Sequence, residues 1–269
     1  MNEINSTIAI NPVAPYLGGK RLLAKTIVPI IEAVPHKNYV EPFVGMGGVF
    51  FRRTKRTKCE VINDISKDIA NLFRILQRHY PQFLDTLKYQ LSSRSEFERL
   101  KATDPTTLTD LERAARFIYL QKTAFGGKAT SQTFGIATER SSRFNLNTLA
   151  SQLEDVHDRL AYVTIECLPY AQCITRYDRD QTLFYLDPPY WNCENDYGKN
   201  LFSKSDFEYL AQQLGSIKGK FLMSINDTPE VRFIFERFSM QPVKTRYTVN
   251  PQSGKEVGEL LISNFEVKI

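Results

Sequence analysis

Apolar positions along the chain follow two rhythms. Short, mostly apolar runs at Tyr39–Val44, Cys59–Asn63, Thr182–Leu186 and Lys220–Ile225 predict strands. Elsewhere the apolar residues recur at helical spacing. Ile69, Leu72, Phe73 and Leu76 predict a helix capped by Ser66. Phe207, Leu210, Ala211 and Leu214 predict another, opened by a capping box of Ser205 and Glu208. A third is expected to start at Thr228, with Pro229 in the first helical position. Val243–Val249 and Gly258–Val267 predict two strands around the polar turn NPQSGKE. Strand, helix, strand in repetition predicts an α/β fold with a mostly parallel sheet covered on both faces.

Between Leu87 and Leu160 the pattern changes to helices and loops. Thr109 and Glu112 predict a capping box ahead of the stripe Leu111, Ala114, Ala115 and Ile118. Asn147 is the expected cap of a helix carrying Leu149, Leu153, Val156 and Leu160. The connecting stretch, FGGKATSQTFGIATERSSRFN, is rich in Gly, Ser and Thr and holds three basic residues against one acid, Glu139. Residues 87–160 therefore read as a mainly helical insertion into an α/β domain made of residues 1–86 and 161–269.

Composition narrows the class. The chain has 269 residues, is 42% apolar and carries a formal charge of +5. No apolar run approaches the roughly eighteen residues needed to span a bilayer, and MNEINSTIAI lacks the features of a signal peptide. An intracellular protein without a membrane span is expected. The four cysteines form no C-x-x-C pair and lie far from the three histidines, so no metal site is expected. A pI near 8.9 suits a polyanionic partner. The densest basic run, RRTKRTK at Arg52–Lys58, reads as a solvated helix end, with a phosphate patch as the alternative.

Three stretches carry candidate chemistry. In LFYLDPPYWN, Asp187 stands at the carboxyl end of a strand, where open α/β sheets bind their ligands. Pro188 and Pro189 fix the backbone and offer carbonyls without N–H groups. Asp187, the Pro188 carbonyl and the Tyr190 ring together suit an exocyclic amine on a planar base. The two acceptors bind the amine's N–H groups and favour electron density on a nitrogen that is otherwise a poor nucleophile. In YVEPFVGMGGVF a strand runs into the turn Gly45-Met46-Gly47-Gly48, which lets a ligand approach the backbone. Asp64, at the end of the second strand, holds the position that binds ribose hydroxyls in nucleoside-binding sheets. In APYLGGKRLL, Gly18-Gly19-Lys20 can cradle a carboxylate. Trp191 reads as packing.

PYLGGK, VEPFVGMGGVF, VINDIS and LDPPYW occur in the order found in the Dam-like (class alpha, D12 class) DNA adenine-N6 methyltransferases, and the chain resembles that family over nearly its whole length. The resemblance implies a Rossmann-like S-adenosylmethionine-dependent methyltransferase sheet with a target-recognition insertion. It implies S-adenosyl-L-methionine as cofactor and a flipped-out adenine in double-stranded DNA as substrate. By motif, Tyr16, Gly18 and Lys20 match cofactor contacts, as do Gly45 and Gly47 with Glu41 and Phe43 beside them. Asp64 matches the ribose acid. Asp187, which also borders the cofactor, matches the catalytic acid, and Pro188, Pro189 and Tyr190 complete its motif. Where the family carries Asp-Phe before the catalytic strand, this chain has Pro169-Tyr170, and Tyr170 is the aromatic wall that remains. The resemblance also implies a bacterial or phage protein acting in the bacterial cytoplasm.

Lifting an adenine out of a duplex costs a few kcal/mol, which backbone contacts help to offset. The expected contacts are Lys122, Lys128, Arg140 and Arg143, with Ser131, Gln132 and Thr133 near base edges. Cytosine-N4 in DNA and adenine in RNA share the amine chemistry. A non-catalytic DNA-binding relative keeps the fold without the reaction. A nicotinamide enzyme lacks its G-x-G-x-x-G here.

Overall fold

In the computed structural model, which describes residues 6–16, 18–127, 132–135, 144–194, 201–246 and 256–267, the described strands form one sheet. In chain order they are β1 (Asn38–Glu41), β2 (Cys59–Asn63), β3 (Val163–Glu166), β4 (Thr182–Leu186), β5 (Lys220–Asn226), β6 (Ser239–Arg246) and β7 (Glu256–Ser263). Their order across the sheet is β3-β2-β1-β4-β5-β7-β6. The first five are parallel, and β7 runs antiparallel between β5 and β6. This is the Rossmann-like α/β sheet expected from the sequence. The strand order reverses between β1 and β4, which opens a crevice above their carboxyl ends.

The sheet is buried on both faces. Along β4, Leu183 and Tyr185 join the core on one face, and Phe184 and Leu186 join the core on the other. This alternation explains why TLFYL reads as unbroken apolar sequence. One face is covered by α1 (Ala24–Ala33), α2 (Lys67–Arg78) and α3 (Tyr80–Leu87), followed by α4 (Arg94–Ala102), α5 (Asp110–Thr123) and α6 (Leu146–Leu160). The other face carries α7 (Tyr170–Tyr177), α8 (Lys204–Leu214) and α9 (Pro229–Ile234). Phe97, Ile118, Leu149 and Leu153 of the helical stretch share one continuous apolar core with Ile27, Phe73 and Tyr185. Among the described residues, no helix is long and apolar enough to cross a membrane.

Several expectations shift. β1 stops at Glu41 because Pro42 supplies no ladder N–H. β3 adds a strand that the apolar pattern does not mark, because it has four residues and is only partly buried. The C-terminal strands start earlier than their apolar runs, and most of the polar turn between them lies outside the described residues. The capping box of α8 is Ser203 with Asp206, not Ser205 with Glu208. Helix α6 is capped by Asn145, whose side chain accepts the N–H of Asn147, so Asn147 is inside the helix. Ser66 precedes α2, but its side chain makes no cap bond; Asp64 accepts the Ser66 N–H instead. The Thr109–Glu112 capping box and the Thr228 cap form as read.

The basic run is also not a plain solvated end. Arg53 is buried and donates to Glu60 at 2.7 Å, with its guanidinium 3.6 Å from the centre of the Tyr39 ring. Arg159, at the end of α6, reaches the same carboxylate at 2.6 Å.

Candidate functional site

The residues around the crevice come from four strand ends and the lead-in to α1. Glu41 closes β1, Asp64 follows β2, Asp187 follows β4 and Ser224 lies near the end of β5. A cavity of about 580 Å³ opens among them, within the usual size of small-molecule sites. Tyr16, Gly18, Lys20, Glu41, Phe43, Gly45, Asp64, Asp187 and Pro189 all line it.

The centre of the site is a buried ion pair. Lys20 is 3% exposed, and its Nζ lies 2.7 Å from Asp187 Oδ1 and 2.7 Å from the Tyr190 hydroxyl. It also donates to the Gly18 carbonyl at 3.2 Å and lies 4.4 Å from the Tyr190 ring centre. PYLGGK and DPPY, 170 residues apart, therefore form one unit. Ser224 donates to the same Oδ1 at 3.4 Å and exchanges a 2.7 Å hydrogen bond with the Tyr185 hydroxyl. Among the described residues, Asp187 Oδ2 carries no hydrogen bond and remains an acceptor for a ligand. Burial pushes the Asp187 carboxyl up to about 6, against the lowering effect of Lys20.

The glycine turn is fixed by Asp64. Its two oxygens accept the N–H of Gly45 and the N–H of Ser66, each at 2.9 Å. Burial raises this carboxyl to about 6, and the two N–H groups hold it down. Gly45 has φ +51°, and a Cβ there would lie 3.2 Å from the Tyr16 ring. Gly47, at φ +74°, would drive a Cβ to 2.4 Å from Phe51. A side chain at either position would strain the turn, and one at Gly45 would also crowd the cavity lining at Tyr16.

Glu41 is buried, and Tyr39 donates to it at 2.6 Å. Burial raises its carboxyl to about 8, so it is largely protonated at neutral pH. In the unfolded chain the same group titrates near 4.5. The folded state therefore holds a proton that the unfolded state releases, and stability falls as pH rises from about 4.5 to about 8. Glu41→Gln keeps the shape and lacks the proton. Relative to the parent, its melting temperature is expected to rise by several degrees between pH 5 and pH 8 in scanning fluorimetry. A constant difference across that range would show that Glu41 is ionised in the folded protein.

Four predicted residues sit beside the cavity without lining it. Pro188 is buried, Gly47 lies under Phe51, and Tyr190 holds Lys20. Tyr170 stacks on Phe43 with ring centres 5.3 Å apart and donates to Asp206, so it backs the lining ring. Among the expected DNA contacts, Lys122 is part of the cavity lining, and its Nζ donates to the Val13 carbonyl and to Gln152. Gln132 donates to Gln121 at 3.3 Å, and Thr133 is exposed. Lys128, Ser131, Arg140 and Arg143 lie outside the described residues.

Trp191 packs on Phe207, with ring centres 5.1 Å apart. Its backbone N–H and carbonyl are both bound by the Asn226 side chain, which anchors the chain leaving DPPY. Ser224, Asn226 and Arg21 were not legible as site residues, and Arg52 stood out only within the basic run whose alternative reading was a phosphate patch. Each becomes one through the neighbour the fold gives it, and β5 lying beside β4 is not written in local sequence. Among the described residues, no group of His, Cys, Asp and Glu is placed to hold a metal.

Comparisons with known proteins give the chain's relatives. The model of the D12 class N6 adenine-specific DNA methyltransferases matches residues 16–249. The Type II methyltransferase M.CviBI of Paramecium bursaria Chlorella virus NC1A is 23% identical over 263 residues, covering 96% of this chain and 99% of that protein. The DNA adenine methylase of Haemophilus influenzae is 25% identical, covering 93% of this chain and 92% of its own length. The DNA adenine methylase of Escherichia coli K12 is 26% identical, with 82% of this chain and 84% of that protein aligned.

Proposed function

The chain belongs to the D12 class of N6 adenine-specific DNA methyltransferases, and on that premise we propose that the cavity at the β1–β4 crevice binds S-adenosylmethionine and receives the target adenine at Asp187. The observation that carries this reading is the Lys20–Asp187–Tyr190 unit, set in the same cavity as the Asp64-held glycine turn.

The lining suits the cofactor. Asp64 keeps lone pairs available for ribose hydroxyls while its two hydrogen bonds lock the turn. Phe43, backed by Tyr170, offers a ring face to an adenine. The backbone at Gly18–Lys20 and the Glu41 carboxyl are placed for the charged amino-acid end. Bound S-adenosylmethionine supplies a methyl group on a positively charged sulfur, ready for displacement.

The chain's own groups prepare the acceptor. Lys20 holds Oδ1 of Asp187, which fixes the carboxylate plane and leaves Oδ2 to accept an N–H from the adenine amine. A second acceptor, the Pro188 carbonyl, takes the other N–H. Both bonds strengthen as positive charge develops on the attacking nitrogen, so they act in the transition state. The ring of Tyr190, the last residue of the motif, is the proposed stacking partner of the base. The duplex base reaches this pocket only after extrusion. The stretch between α5 and α6 is the proposed target-reading element. The cytoplasm is the expected location.

Asp64→Ala is expected to weaken S-adenosylmethionine binding at least roughly tenfold, because it removes a ligand group and unlocks Gly45 together. Isothermal titration without DNA checks this. An unchanged dissociation constant would remove Asp64 from the cofactor site.

A further inference from the structure

Among the described residues, three cations on the cavity lining have no counter-ion. Arg52 ends the 3-10 turn Phe50–Arg52 that follows the glycine turn, and it is half-buried. Its guanidinium donates to the Gly48 carbonyl at 2.6 Å and to Asn11 Oδ1 at 3.3 Å, both neutral acceptors. Arg21 is exposed, follows Lys20 directly and lines the same cavity. Lys122, from α5, is held by a backbone carbonyl and the Gln152 amide oxygen. None of the three enters an ion pair among the described residues. Burial depresses the Arg52 guanidinium, and the nearby charge of Arg21 depresses it further. Desolvation likewise lowers Lys122. Like charges gathered at a cleft without a carboxylate in ion-pair contact attract an anion.

Two anions belong to this reaction, the carboxylate of the cofactor and the phosphates of the DNA. Of the acidic groups on the cavity lining, Glu41, Asp64 and Asp187 lie at strand ends and Glu194 follows DPPY, and the backbone of Gly18–Lys20 serves the cofactor's amino-acid end. The three cations stand on three elements: Arg21 follows Lys20 in the lead-in to α1, Arg52 ends the turn after the glycines, and Lys122 lies on α5. Helix α5 leads directly into Phe125, which is 51% exposed. A nucleotide swung out of a duplex keeps its flanking phosphates at the mouth of the pocket that takes its base.

We propose that Arg21 and Arg52 form a phosphate clamp that grips the DNA backbone beside the extruded nucleotide, with Lys122 next to it. The proposal rests on the cavity being the methyl-transfer site. It adds DNA-binding residues that lie outside the insertion and next to the cofactor turn. Two guanidiniums on one phosphodiester hold it bidentately and fix the height at which the base enters.

The test uses the full-length enzyme, an unmethylated plasmid and S-adenosylmethionine, with Arg21→Gln, Arg52→Gln and the double variant. Arg52 supports the Gly48 carbonyl, so its variant can disturb the turn. Arg21→Gln touches no described hydrogen bond and keeps the test independent of folding. Each single variant is expected to raise the KM for plasmid roughly tenfold. The slope of log kcat/KM against log sodium chloride should become shallower by about 0.9 for each phosphate no longer neutralised. The dissociation constant for S-adenosylmethionine, titrated without DNA, should stay within twofold. An unchanged salt slope in Arg21→Gln and in the double variant overturns the clamp. If the cofactor constant rises while the slope is unchanged, the pair binds the cofactor carboxylate instead. A wild-type enzyme that methylates no plasmid would count against the functional reading itself, a result distinct from failure of the clamp.

Discussion

Asp187→Ala should lower kcat for methyl transfer by a factor of about 10²–10³ or more, the usual loss when a placed transition-state partner is removed. The dissociation constant for S-adenosylmethionine should change much less. Oδ1 is engaged by Lys20 at 2.7 Å and by Ser224 at 3.4 Å, so the carboxylate cannot rotate away from the cavity. The remaining oxygen meets an amine that becomes more acidic as the bond forms, and that difference between ground and transition state appears in kcat. Asp187→Asn keeps one acceptor and should lose less. Removing the carboxylate also strands the Lys20 ammonium, which is 3% exposed, with only the Tyr190 hydroxyl and the Gly18 carbonyl. Some loss of stability is expected as well, and single-turnover rates on fully folded variant separate the two effects. The pH profile has a defined sign. The carboxyl titrates near 6 and works ionised, so the rate in the parent falls as pH drops through about 6. A variant that turned over at the parental rate would remove Asp187 from the chemistry.

Glu60→Leu should be the most destabilising single change outside the cavity. Glu60 is 4% exposed, and it neutralises two guanidiniums that are 1% and 2% exposed. Arg53 reaches it at 2.7 Å, and Arg159 forks onto both its oxygens at 2.6 and 3.1 Å. The two cations lie against aromatic faces, Arg53 over Tyr39 at 3.6 Å and Arg159 over Phe50 at 4.1 Å. These faces help but cannot replace a carboxylate. Breaking a buried ion cluster by deleting one partner costs about 3–5 kcal/mol, because the charges left behind remain cut off from water. For a chain of this size that corresponds to a fall in melting temperature of roughly 10 °C. The cluster joins β2 to the end of α6 and, through Tyr39, to Glu41 at the cavity floor. Loss of cofactor affinity should therefore accompany the loss of stability. Calorimetry on the variant checks the first effect, and a shift under about 2 °C would show that the two arginines find other partners.

Much of the fold was legible because the sheet imposes its own rhythm. TLFYL is apolar at nearly every position since both faces of β4 are covered, and Asp187 is conspicuous as the first charge after it. The glycine turn and Asp64 were legible for a related reason, since each marks a strand end. The failures have local causes. FSKSDFE contains two overlapping candidate capping boxes, Ser203 with Asp206 and Ser205 with Glu208, and spacing alone does not choose between them. Asn145 and Asn147 pose the same choice before α6. In RRTKRTK the second arginine turns inward, and only the fold shows that Glu60 waits there. The Lys20–Asp187 contact spans the chain. Each residue stood out in its own motif, and only the crossing from the lead-in of α1 to the end of β4 joins them as an ion pair.

The most direct test of the account is the identity of the methylated base. Purified enzyme is incubated with unmethylated plasmid and S-adenosylmethionine carrying an isotopically labelled methyl group, and the DNA is digested to nucleosides for mass spectrometry. The account predicts label in N6-methyladenine, accumulating about 10²–10³ times more slowly, or slower still, with Asp187→Ala at the same protein concentration. Label in N4-methylcytosine, or equal label from the variant, would contradict it.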